Sequence, residues 1–148
     1  MTLQEALTIF ENLKTETTKK AKIKVYENFI YIFKGLKSRN LPEDEIQSIE
    51  TELDRLNLNN ENNLNFFKKA LNEFEKYLKN NFSLISKGYY TKLYGGLGLS
   101  FGLLFGVVFL SNLERSLGIS LGLIGGMIVG SIIGRNMDSQ AKASGNML

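Results

Sequence analysis

The residues of this chain with the chemistry for catalysis are few, and their spacing points elsewhere. Its 148 residues include no histidine and no cysteine. That removes the commonest general base and metal ligand, the thiolate nucleophile and any disulfide. Glu43/Glu45 and Glu73/Glu75 are paired carboxylates. The first pair follows Pro42 and reads as the acidic first turn of a helix, and the second as a solvent-facing edge. Lys19, Lys20, Lys22 and Lys24 form a short basic run suited to nucleic acid or anionic lipid, but Glu16 and Glu27 flank it, which marks a solvated face. GGLGLSFG, residues 95–102, has the glycines of a phosphate loop without the preceding strand or the lysine. Ser100, Ser120 and Ser131 stand in apolar surroundings. Serine there usually bonds a carbonyl one turn back. A weak polar pore lining is the alternative, but no ionisable residue accompanies it at depth. No catalytic, cofactor-binding or metal-binding set emerges, and the expectation is a protein that is not an enzyme and needs no cofactor.

The spacing that does stand out belongs to glycine. Residues 117–134, LGISLGLIGGMIVGSIIG, carry no charge, and Gly118, Gly122, Gly126, Gly130 and Gly134 recur every fourth position. Residues 93–110 repeat the device with Gly98, Gly102 and Gly106. As helices at 1.5 Å per residue the two stretches cover roughly 27–30 Å, enough for a bilayer core. In a water-soluble helix each glycine would cost roughly 1 kcal/mol relative to alanine. In lipid the backbone bonds internally in any case, and glycine lets helices approach closely. The two stretches therefore predict a transmembrane helical hairpin with glycine-zipper packing. SNLERS, residues 111–116, is short enough to force antiparallel neighbours.

Residues four apart advance 400°, so the glycine row drifts about 40° per step. That drift predicts a right-handed crossing near −40°. It also lets the row offer glycine to two neighbours at different depths, the first span and a helix of another subunit, so a homo-oligomer is expected. Phe101, Phe105 and Phe109 form a parallel row one residue before Gly102 and Gly106 and beyond them. They either fill the groove of a facing glycine row or face lipid.

The rest of the chain must anchor and orient these stretches. Tyr89, Tyr90, Lys92, Tyr94 and Arg135 suit the headgroup region, the tyrosines because their rings tolerate a half-wet setting. Lys76, Lys79, Lys87 and Lys92 precede the first stretch, Arg135 and Lys142 follow the second, and the connector has only Arg115 beside Glu114. The positive-inside bias then places both termini in the cytoplasm. MTLQEALTIFENLK has neither the basic nor the apolar region of a signal peptide, so the membrane signal is expected to be internal.

Residues 1–86 predict a cytoplasmic three-helix bundle, within an all-α fold. Leu3, Leu7, Phe10 and Leu13 open a helix read as running to about Leu36 across a polar middle. Val25, Phe29, Ile32 and Leu36 make one stripe and Tyr26, Ile30 and Phe33 another, so this segment should be the most buried. Pro42 fits the first position of a second helix faced by Ile46, Ile49, Leu53 and Leu56, which LNLNNENN, residues 56–63, ends. Leu64, Phe67, Leu71, Phe74 and Leu78 step along a third, with Ile85 completing the series. Asn81 falls in that seam. Either it specifies register between chains, or it faces solvent while Phe82 takes its place. Residues 87–92 form an interfacial junction, residues 93–134 the hairpin, and residues 135–148 a polar cytoplasmic tail, helical to about Ala143.

The paired Gly-every-fourth stretches, closed by the polar tail IIGRNMDSQAKASG, resemble small bacterial membrane proteins known as glycine-zipper proteins. The whole chain, with a helical region, the phrase FSLISKGYY and then the zipper, is similar to uncharacterised membrane proteins of Bacteroidota. The resemblance implies a bacterial inner-membrane location and carries no activity or site residues. The expected partners are the bilayer, further copies of the chain and a cytoplasmic protein. The net charge of +3 is mixed in sign, and no nucleic acid partner is expected. An oligomeric pore-former or permeabilising effector is the alternative function.

Overall fold

The computed structural model describes residues 1–58, 63–109 and 115–148, and for Arg115 the backbone alone. It is all-helical, with six helices among the described residues: α1 (Leu3–Glu16), α2 (Lys20–Lys37), α3 (Glu43–Leu56), α4 (Leu64–Phe82), α5 (Tyr89–Phe109) and α6 (Arg115–Ala143). The chain divides into two compact units, Met1–Leu84 with Leu148, and Ile85–Met147.

The first unit holds four helices where three were expected. The predicted helix from Leu3 to Leu36 breaks at Thr17, whose backbone is extended. Threonines supply the reason. Thr15 donates its hydroxyl to the Asn12 carbonyl at 2.7 Å, and Thr17 accepts from the Lys19 amide at 3.4 Å. No apolar residue between Thr15 and Lys19 ties this stretch to a core, and such local bonds compete with the helix. Folding back also stacks Phe10 on Phe29 at 4.3 Å. The other end of α1 is closed by a capping box between Thr2 and Glu5.

Helix α2 is the centre of this unit. Val25, Tyr26, Phe29, Ile32, Phe33 and Leu36 are all buried, as its two stripes demand. Pro42 sits one place earlier than expected, at the N-cap of α3, with Glu43, Asp44 and Glu45 in the first turn. Asn57, left-handed at φ 49°, closes α3. The rest of the asparagine-rich run, residues 59–62, lies outside the described residues. The seam of α4 packs within the chain, where Phe67, Leu71, Phe74 and Leu78 join the core of α1–α3. Asn81 is exposed and donates to the Tyr77 carbonyl at 2.9 Å, while Phe82 is half-buried against the core. Ile85 does not complete the helical series. Ser83 turns left-handed at φ 56°, and the Leu84 amide closes on the Leu78 carbonyl at 3.2 Å. This is a Schellman-type stop. Leu148 belongs to the same core: Tyr31 donates its hydroxyl to the Leu148 carbonyl at 2.5 Å.

The second unit is an antiparallel pair, α5 against α6. Helix α5 begins at Tyr89, inside the stretch read as a junction. Helix α6 runs on through the polar residues to Ala143. Gly145, at φ 72°, then turns the chain so that the Ile85 amide donates to the Asn146 carbonyl at 2.9 Å. The connector at residues 110–114, Leu110 included, lies outside the described residues.

Candidate helix-packing site

The eight glycines singled out by spacing come together between α5 and α6. A methyl group built onto Gly98, Gly102, Gly106, Gly122, Gly126, Gly130 or Gly134 would meet backbone of the other helix. At Gly122 it would stand 2.7 Å from the Gly106 Cα, at Gly126 2.7 Å from the Gly102 Cα, and at Gly134 2.5 Å from the Thr91 Cα. At Gly106 it would stand 2.6 Å from the Gly118 carbonyl oxygen, and at Gly98 3.1 Å from the Gly130 Cα. Ordinary carbon–carbon contact is about 3.5–4.0 Å, so no side chain larger than hydrogen fits. The register is regular. Gly98 faces Gly126, Gly102 faces Gly122 and Gly106 faces Gly118, four residues gained on one helix for four lost on the other. Where α5 lacks glycine the row continues on its backbone, with the Tyr94 carbonyl against Gly130 and Tyr90 and Thr91 against Gly134.

This register bears on the expectation of two neighbours. From Gly122 to Gly134 every glycine of the row turns its open side to α5. The drift is matched by an equal drift of the facing row, so α5 follows it along the length described. Phe101, Phe105 and Phe109 do not enter it. They point outward at 68%, 54% and 66% exposure, and Phe105 stacks on Phe109 at 4.7 Å.

Sequence reasoning missed Asp138. It falls in the stretch that reads as a polar tail, yet it is 8% exposed. It accepts the Tyr90 amide at 3.0 Å, the Thr91 amide at 3.1 Å and the Thr91 hydroxyl at 2.7 Å. These amides belong to the first turn of α5, which has no helical partner for them. A carboxylate there is doubly favoured, as a charge-assisted acceptor and by the helix dipole. Asp138 thus caps α5 from another helix, and this is why α5 starts at Tyr89. The signal was present: Asp138 lies four residues after Gly134, on the next step of the same row.

The expected boundary residues flank this cap. Tyr89 and Tyr90 pack edge to face at 5.3 Å, Tyr90 and Tyr94 lie 6.3 Å apart, and all three are half-exposed. Lys92 and Arg135 are exposed. Ser100 and Ser120 donate to the Gly96 and Ser116 carbonyls of their own turns, at 3.3 and 2.9 Å. Among the described residues no three carboxylates converge to hold a cation.

With glycine spent on the contact, the large side chains of both helices face outward. Val108 is 64% exposed and Ile132 61%. Among the described residues α5 and α6 are long and apolar enough to cross a membrane, and few of their residues are buried. A core helix of a water-soluble domain would bury most of them. No family model, no curated protein and no solved structure matches this chain.

Proposed function

We propose that this protein is an integral membrane protein of the bacterial inner membrane. Its α5–α6 hairpin is a glycine zipper crossed in the right-handed sense, and α1–α4 form a cytoplasmic module that binds a protein partner. The hairpin self-associates through its outer surface, and the chain has no catalytic role. One observation carries the reading: backbone meets backbone along the α5–α6 seam while the large apolar side chains point away from it. In water that arrangement exposes apolar surface for little burial. In a bilayer the exposed face is solvated by lipid, and close packing of small residues is what holds helices together. Two rows advancing by four against each other are the contact pattern of the right-handed class. Exposed Lys92 and Arg135 and the half-exposed tyrosines suit one headgroup layer, on the side that carries both termini.

The test is extraction and labelling. The full chain, expressed in bacteria, is expected to stay with membranes after alkaline carbonate washing. The absence of cysteine allows single cysteines to be placed at will. One at Ser48 or Ser139 should react only after the inner membrane is opened from the cytoplasmic side, and one at Ser111 from the periplasm. Release by carbonate refutes membrane integration, and labelling of Ser48 and Ser111 from the same side refutes the hairpin topology.

A further inference from the structure

We propose that the open groove on the α5–α6 pair is a self-docking face, in which Phe101 of one copy seats in the notch left by Gly125 of another. The inference rests on the membrane reading above and names the surface through which copies meet.

The groove measures about 620 Å³ and is walled by Leu97, Phe101 and Phe105 of α5 and by Leu121, Gly125 and Val129 of α6. Gly125 differs from the glycines of the seam: a methyl group added there meets nothing within 4 Å. The hairpin does not need a glycine at this position for its own packing. Glycine here leaves a gap in an otherwise bulky wall. Opposite it, Phe101 is the most exposed large side chain of the wall, at 68%.

The seam fixes the depth of both residues. Gly102 lies between Gly122 and Gly126, and because the helices run antiparallel the step back from Gly102 to Phe101 leads along α6 toward Gly125. Ridge and notch therefore stand side by side at one level. Two copies with the same orientation in a membrane pair most simply about a two-fold axis along the bilayer normal. That operation leaves depth unchanged, so Phe101 of each copy arrives at the level of Gly125 of the other, and the contact is made twice. The next level does not offer this fit. Gly106 lies between Gly118 and Gly122, so the same step back to Phe105 reaches the level of Leu121. Phe101 with Gly125 thus singles out one register. In lipid, where apolar area alone gives no preference for protein over acyl chains, such shape complementarity selects a protein partner.

The experiment measures dimerisation of the full chain in phosphatidylethanolamine/phosphatidylglycerol vesicles over a range of protein-to-lipid ratios, by photobleaching steps of a single fluorophore. Gly125→Phe fills the notch and Phe101→Gly removes the ridge. Each is expected to weaken association at least ten-fold. The double variant, with ridge and notch exchanged, should return to near wild type, because the two-fold axis still brings one to the other. Thermal melting of the helical signal checks that the hairpin is intact, and Gly125→Leu is the second notch-filling variant. Wild-type association by Gly125→Phe and Gly125→Leu overturns this face while leaving self-association standing. Failure of the exchanged double variant to recover overturns the pairing of ridge with notch. A wild-type chain that stays monomeric at every ratio, its groove covered by acyl chains, overturns self-association itself.

Discussion

Adjacent glycines on α6 provide a sharp test of the packing. In Gly126→Ala the new methyl would stand 2.7 Å from the Gly102 Cα, with the Gly98 carbonyl also in its way. Carbon atoms settle at about 3.5–4.0 Å, so α5 and α6 must part by about 1 Å at this level. Both obstacles are backbone, and no side-chain rotation relieves them. A gap of 0.5–1 Å already forfeits about a quarter to a half of each dispersion contact, and forced overpacking costs about 1–3 kcal/mol. Alanine returns up to about 1 kcal/mol of helix propensity, which leaves a net loss of up to about 2 kcal/mol. Gly125→Ala makes the same chemical change one residue away and meets nothing within 4 Å. It should be neutral or stabilise slightly. The assay is unfolding of the chain in mixed micelles by rising mole fraction of sodium dodecyl sulfate, followed by energy transfer between labels on α5 and α6. It is run at a dilution where copies do not meet. Equal midpoints for the two variants, or a lower one for Gly125→Ala, would falsify the assignment of the Gly118–Gly134 row to the seam.

Three further outcomes are expected. Asp138→Ala strips three donors of their acceptor. It should destabilise the hairpin by at least about 3 kcal/mol, given about 1.5–3 kcal/mol for each hydrogen bond to a charged group, and speed hydrogen exchange at the Tyr90 and Thr91 amides. Unchanged exchange there would remove Asp138 as the cap of α5. Burial raises the Tyr26 phenol above its ordinary value of 10.0. The neutral phenol is thus favoured in the folded state, its stabilisation is complete below about pH 10, and it is lost as pH rises through the folded value. Alkaline melting of the α1–α4 unit should shift to higher pH in Tyr26→Phe, and an unshifted curve excludes Tyr26 as the group responsible. Ser83 and Asn57 hold left-handed backbone, which costs a non-glycine residue about 1–2 kcal/mol. Ser83→Gly should therefore raise the melting temperature of that unit; a lowered one contradicts the Schellman stop.

The sequence made legible what depends on local periodicity. The apolar stripes of α2, α3 and α4 were readable because a helix places every third and fourth residue on one face. Tyr26, Phe29, Ile49, Leu53, Phe67 and Phe74 lie in the core accordingly. The break at Thr17 was less legible. Helix propensity through TETTKK is weak without being forbidding, and the break joins the local bonds of Thr15 and Thr17 to the stacking of Phe10 on Phe29, a contact across the fold. Ile85 departs from the helical series for a related reason. Periodicity continues past a helix stop, and the stop at Ser83 comes from a left-handed residue that serine does not announce.

For the packing site, the sequence by itself determined that glycines recur every fourth residue on two uncharged stretches, and so that two backbones can approach closely. Spacing is a property of one helix. It could not say which neighbour each glycine meets, and the drift of the row left two neighbours open. The tertiary structure decided this, because α5 carries a row of the same drift and opposite direction, and the two stay matched from Gly106 to Thr91. It also separated Gly126 from Gly125, identical in type and adjacent in sequence, by what stands in front of each. And it moved Asp138 from the polar tail to the end of the glycine row. A carboxylate has no fixed meaning along a chain. It acquires one from the unpaired amides that the fold brings within 3.1 Å of it.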